Sequence, residues 1–142
     1  MSSINFKVSG LMKVNAHVKT IADKNKFRNA LTLCCNLVLR DAVANCPIGD
    51  TGLLASSITK EVHDKYGIVG TNLKYGPCVE FGTGQYGDPA VAHTTKPYWR
   101  YQDPRTGEWR TTHGSRPQPF LVPALKKNKS PIIKILQKAA KE

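Results

Sequence analysis

Gly82-Thr83-Gly84-Gln85-Tyr86-Gly87 reads G-x-G-x-x-G, the spacing with which a dinucleotide fold brings backbone amides against a pyrophosphate at the start of a helix. The surroundings do not suit that chemistry. The run follows a segment with helical character, leads into Asp88-Pro89 and has no βαβ unit around it, so its glycines are read as a helix cap and a bent loop. The histidines His17, His63, His93 and His113 are far apart, and no two sit four residues apart as a metal-binding helix would require. Cys34, Cys35, Cys46 and Cys78 form no C-x-x-C knuckle and no disulfide framework, and are read as reduced, mostly buried thiols of a protein made in a cytosol. Among the ten carboxylates no acid and base pair is recognisable. The expectation is a protein that is not an enzyme and carries no metal and no cofactor.

The basic residues are the remaining candidates. Lys and Arg number 21 against 10 Asp and Glu, a formal charge of +11, which draws in polyanions or acidic protein surfaces but says nothing about fold. Lys126, Lys127, Lys129, Lys134, Lys138 and Lys141 crowd the C-terminal segment, while Arg100, Arg105, Arg110 and Arg116 punctuate an aromatic-rich stretch. No nucleic-acid-binding motif accompanies them, so the charge supports backbone contact without sequence readout. No segment has the form of a signal peptide or a membrane span, and no membrane partner is expected.

These residues need elements to hold them. At 142 residues, residues 1–142 are expected to form a single domain. Ile4, Phe6 and Val8 alternate as in a short strand, and a brief helix is expected over residues 11–20. Phe27, Leu31, Cys34, Val38 and Ala42 recur at helical spacing from an Asp23 N-cap to a stop at Asn45-Cys46-Pro47, with Leu33, Leu37 and Leu39 widening the apolar face. Asp50 or Thr51 is placed to cap a short turn through Leu53, Leu54 and Ser57. Ile58 to Val62 and Ile68 to Thr71 predict a strand pair, and Tyr75 to Phe81 one or two helical turns closed by Gly82 with positive φ.

Residues 83–115 are too long for a structureless loop. Within them Tyr98 to Tyr101 and Glu108 to Thr111 predict a β-hairpin, an arm whose Trp and Tyr side chains need a partner surface. Residues 121–142 predict a basic helix, with Pro123 in its first turn, Ile132, Ile135, Leu136 and Ala139 on one face, and a restart or kink at Ser130-Pro131. The fold class is α+β: a long N-terminal helix and a C-terminal helix packed on a small antiparallel sheet, with a projecting hairpin or loop arm.

Three ordered motifs carry a resemblance. They are Cys46 to Leu54 with Ser57-Ile58, then Tyr75 with Val79-Glu80-Phe81-Gly82-Thr83-Gly84, then Arg116-Pro117-Gln118-Pro119-Phe120 continuing to Leu125. In that order they resemble the small tailed-phage connector family, the neck or tail-completion proteins (minor tail protein Z-like) of siphophages. The resemblance implies a structural virion protein that forms a ring of six or twelve copies in the neck or at the tail top and joins head to tail. It implies a place in the virion, with assembly in the host cytoplasm. The implied partners are further copies of itself and the adjacent head-completion, tail-terminator or tail-tube proteins, with non-specific contact to genomic DNA as a further expectation. A ring subunit needs two different faces, which a broad helix face and an aromatic arm would supply. Asp50, Thr51, Gly52, Glu80, Phe81, Gly82, Trp99, Trp109, Arg116 and Phe120 are the interface or assembly candidates, with Glu80 expected to pair with a basic residue, Arg116 first. The competing expectation is a free basic phage protein that binds nucleic acid without sequence specificity.

Overall fold

The computed structural model describes residues 6–7, 24–49 and 51–141. Eleven elements occur among them, in two compact units. The class is α+β, with two long helices and small antiparallel sheets.

The first unit takes in the chain up to Lys74 together with the segment from Phe120 onward. Its strands are β1 (Phe6–Lys7), β2 (Thr59–Val62) and β3 (Gly67–Gly70), with β3 in the middle and both neighbours antiparallel to it. Phe6 stands opposite Val69, and Glu61 opposite Ile68. Helix α1 (Lys24–Asn45) packs on β2 and β3 and, along its length, on the C-terminal helix. A short helix α2 (Leu53–Ser57) leads into β2. Ile4, Val8, the brief helix over residues 11–20 and the Asp23 cap lie outside the described residues.

Helix α1 forms where the period predicts it, and Phe27, Leu31, Cys34, Val38 and Ala42 are all buried. Leu33 departs from expectation: it is 56% exposed, because successive residues turn through about 100° and Leu33 falls opposite the Phe27–Val38 stripe. Cys34, Cys35 and Cys46 are buried and Cys78 is exposed, all four as free thiols. Burial pushes the Cys34 thiol up to about 12, with the neighbouring Cys35 adding to it, which disfavours thiolate chemistry there.

The C-terminal helix, α4, runs unbroken over Leu121–Lys141 with Pro131 inside it. Its buried residues, Leu121, Ala124, Asn128, Ile132 and Leu136, recur at three- and four-residue spacing against α1. One member of that stripe is polar, and so is one member of the α1 stripe. Asn128 Nδ2 donates to Asp41 Oδ2 at 2.7 Å and to the Ala124 carbonyl at 2.8 Å. Arg40 Nε lies 3.2 Å and Lys127 Nζ 3.6 Å from Asp41 Oδ1. The hydrogen bond from Asn128, then those from Arg40, hold the Asp41 carboxyl below the ordinary value of 3.8.

A depressed carboxylate binds its proton more weakly in the folded state, so it contributes stability above the unfolded value and loses it as pH falls through the folded one. Asp41→Asn is therefore expected to cost stability at neutral pH, and the gap from wild type should close as pH drops below 3.8. Urea midpoints followed by far-ultraviolet circular dichroism across that range test this; a gap that stayed constant with pH would reject it.

The second unit, Tyr75–Pro119, contains α3 (Gly76–Phe81), β4 (Thr83–Gly84), β5 (Trp99–Gln102), β6 (Trp109–Thr112) and β7 (Gly114–Ser115). Strand β4 pairs antiparallel with β7, and β5 with β6. The predicted arm over residues 83–115 lies wholly in this unit.

Candidate interaction surface

Two of the three sequence motifs meet in the second unit. Thr83 stands opposite Ser115, Thr83 Oγ1 accepts from the Ser115 amide at 3.0 Å, and the Gln118 amide donates to the Val79 carbonyl at 2.8 Å. The Glu-Phe-Gly-Thr-Gly and Arg-Pro-Gln-Pro segments thus run side by side. Gly82 closes α3 with φ 75° and ψ 177°, a combination open essentially to glycine alone. A methyl group there would lie 2.7 Å from the Ser115 carbonyl oxygen and 2.8 Å from Pro117 Cδ.

The glycine run after α3 enters a two-residue strand and a turn, where the Gly87 amide donates to the Gly84 carbonyl at 3.1 Å. It meets no helix N-terminus that could receive a phosphate. Among the described residues no group of three or more His, Cys, Asp or Glu is placed to hold a metal ion.

The candidate residues divide by burial. Glu80 is 2% exposed and Phe120 is fully buried. Phe81 and Gly52 are half-buried, Thr51 and Arg116 exposed, and Asp50 lies outside the described residues. The cap of α2 is shared differently from expectation: Gly52 takes the N-cap position in a left-handed conformation, and Thr51 Oγ1 accepts the Leu53 amide at 3.3 Å. The Arg116 guanidinium stands over the Tyr86 ring at 4.9 Å.

The hairpin tip is closed by a dense set of hydrogen bonds. Its tip is Asp103-Pro104-Arg105-Thr106-Gly107, with Gly107 at φ 74°. The Asp103 amide donates to the Glu108 carbonyl at 2.8 Å, and the Gly107 amide to the Asp103 carbonyl at 2.7 Å. Asp103 Oδ1 accepts the Arg105 amide at 2.9 Å and Oδ2 faces Arg110 Nε at 3.2 Å. The Arg105 amide first, and the Arg110 charge after it, hold the Asp103 carboxyl low.

The register assigns the two faces. Trp99 pairs with Thr112 and Tyr101 with Arg110 on one side, while Arg100 pairs with Thr111 and Gln102 with Trp109 on the other. Trp99 is half-buried, its ring so close to Gly84 that a methyl group there would touch it at 3.0 Å. Trp109 is 62% exposed on the opposite face, with the Arg100 guanidinium 5.8 Å from its ring. Two tryptophans that look alike in sequence thus do different work: one anchors the hairpin, the other faces solvent.

No family model matches the chain, and neither a curated protein nor a solved structure shows significant similarity to it. Among the described residues no helix is long and apolar enough to cross a membrane.

Proposed function

We propose that this chain is a structural virion protein of a tailed phage, assembling as a homo-oligomeric ring in the neck or at the tail top and joining head to tail. The observation that carries the reading is the ordered set of three motifs, two of which the fold brings together where the Gln118 amide donates to the Val79 carbonyl. Residues spaced more than thirty apart in sequence form one local structure there, as a shared architectural signature would.

A ring also needs apolar surface that the lone subunit leaves uncovered. Ile48 is 80% exposed and Leu53 50% exposed, on either side of the Asp-Thr-Gly motif. In a ring the next copy covers them. The burial of Glu80 changes which variant tests this: charge reversal at a buried carboxylate disturbs folding before it reports on assembly. Ile48→Asp with Leu53→Asp is the better choice.

Sedimentation velocity and negative-stain microscopy of purified protein should show rings in the wild type and smaller species in the double variant. Antibody labelling of intact particles should place the protein at the neck or tail top. Absence of the protein from purified particles would sink the reading.

A further inference from the structure

The solvent face of the hairpin combines side chains that the rest of the fold leaves unused. Along β5 and β6 it presents Arg100, Gln102, Trp109 and Thr111, and Tyr98 and His113 extend the same alternation one step beyond the strands. All six are exposed, and Tyr98 is 60% so. The Tyr98 and His113 rings lie 6.1 Å apart, and Tyr98 and Trp109 are separated by about 13 Å along the strand direction, with Arg100 between them.

The face carries no carboxylate. Both acidic residues of the hairpin are placed elsewhere: Asp103 is buried in the tip and held by Arg105 and Arg110, and Glu108 precedes Trp109, so the alternation turns it to the Tyr101 and Arg110 side. Aromatic rings, a guanidinium, an imidazole and neutral hydrogen-bond donors remain. We infer that this face binds single-stranded nucleic acid, with bases stacking on Trp109 and Tyr98 and phosphates meeting Arg100.

Charge complementarity selects that occupant. A chain of formal charge +11 that keeps its acids off one aromatic face is matched to a polyanion, and flat exposed rings favour a polymer whose bases are free to stack. A second copy docked face to face would set Arg100 against Arg100, with no carboxylate on either face to answer them. A duplex offers phosphates but hides the faces of its bases. The hydrogen-bonded tip adds to the case, since a surface held by its own contacts loses less entropy when it binds. The inference does not rest on the ring reading, which is decided on particles and on sedimentation.

The experiment measures fluorescence anisotropy of three labelled probes with the full-length protein: an oligothymidylate, a DNA duplex of equal length and a polyglutamate peptide. At about 50 mM salt the oligothymidylate should bind tightest, with affinity falling as salt rises. Trp109→Ala should weaken it about tenfold, and Tyr98→Ala, which lies outside both strands, by a similar factor. Arg100→Glu should weaken binding and reduce the salt slope by about one. Fluorescence of the remaining Trp99 verifies that the hairpin is kept in the Trp109 variant.

Binding of oligothymidylate unchanged by both aromatic substitutions would overturn the inference. So would polyglutamate binding that is as tight and as sensitive to Trp109→Ala, which would make an acidic protein surface the occupant. Equal affinity for duplex and single strand, indifferent to Trp109, would reduce the face to general electrostatics and overturn it too.

Discussion

Phe27→Ala is expected to lower the unfolding free energy of the first unit by about 3–5 kcal/mol, the usual cost of emptying an aromatic core site. Phe27 is 1% exposed and sits on the stripe of α1 that meets β2, β3 and α4, so nothing else fills its volume without repacking two layers. Leu33→Ala, on the same helix but facing solvent, should change stability by no more than about 0.5 kcal/mol. Urea titration followed at 222 nm compares them directly, since both long helices belong to this unit. Equal shifts for the two variants would mean that the buried stripe has been assigned to the wrong face.

Gly82→Ala should cost about 3 kcal/mol, from a backbone conformation that side chains reject and from contacts with backbone that cannot yield. The inserted methyl meets the Ser115 carbonyl oxygen, Pro117 Cδ and the Pro117 nitrogen at 2.7, 2.8 and 2.9 Å. The pairing of β4 with β7 is the expected casualty, and with it the seat of Trp99 against Gly84. Both tryptophans of the chain lie in the second unit, so their fluorescence reports on it selectively. Gly49→Ala is the control, because among the described residues no atom beyond its chain neighbours lies within 4 Å of the position a methyl group would take there. A Gly82 variant with unchanged fluorescence and midpoint would show that the turn has another conformation open to it.

The sequence pattern exposes much of the fold and part of the surface. Helix α1, the β2 and β3 pair, the short helix before Gly82, the hairpin and the basic C-terminal helix all follow from apolar periodicity and turn residues, which act locally. The Asp41 and Asn128 pair escaped that reading, although a signal was present. Each is a polar residue at a register position of an apolar helical stripe, where an unpartnered side chain would be costly. The two positions together would have suggested that the helices face each other there. Leu33 shows the opposite failure: apolar character alone says nothing of direction when a helix is rich in leucine.

Glu80 and the hairpin illustrate what depends on the third dimension. A glutamate beside Phe81 and Gly82 carries no mark of burial in sequence, yet in the fold it is 2% exposed. The roles of Trp99 and Trp109 rest on register, because a slip of one residue in β5 would bring Trp99 and Asp103 onto the face of Trp109. Local spacing, then, determined which segments became helix, strand and turn, since those choices are made within a few residues. Tertiary structure alone decided which side chains were spent on the core and which were left exposed, because burial and pairing depend on segments that come together only in the folded chain.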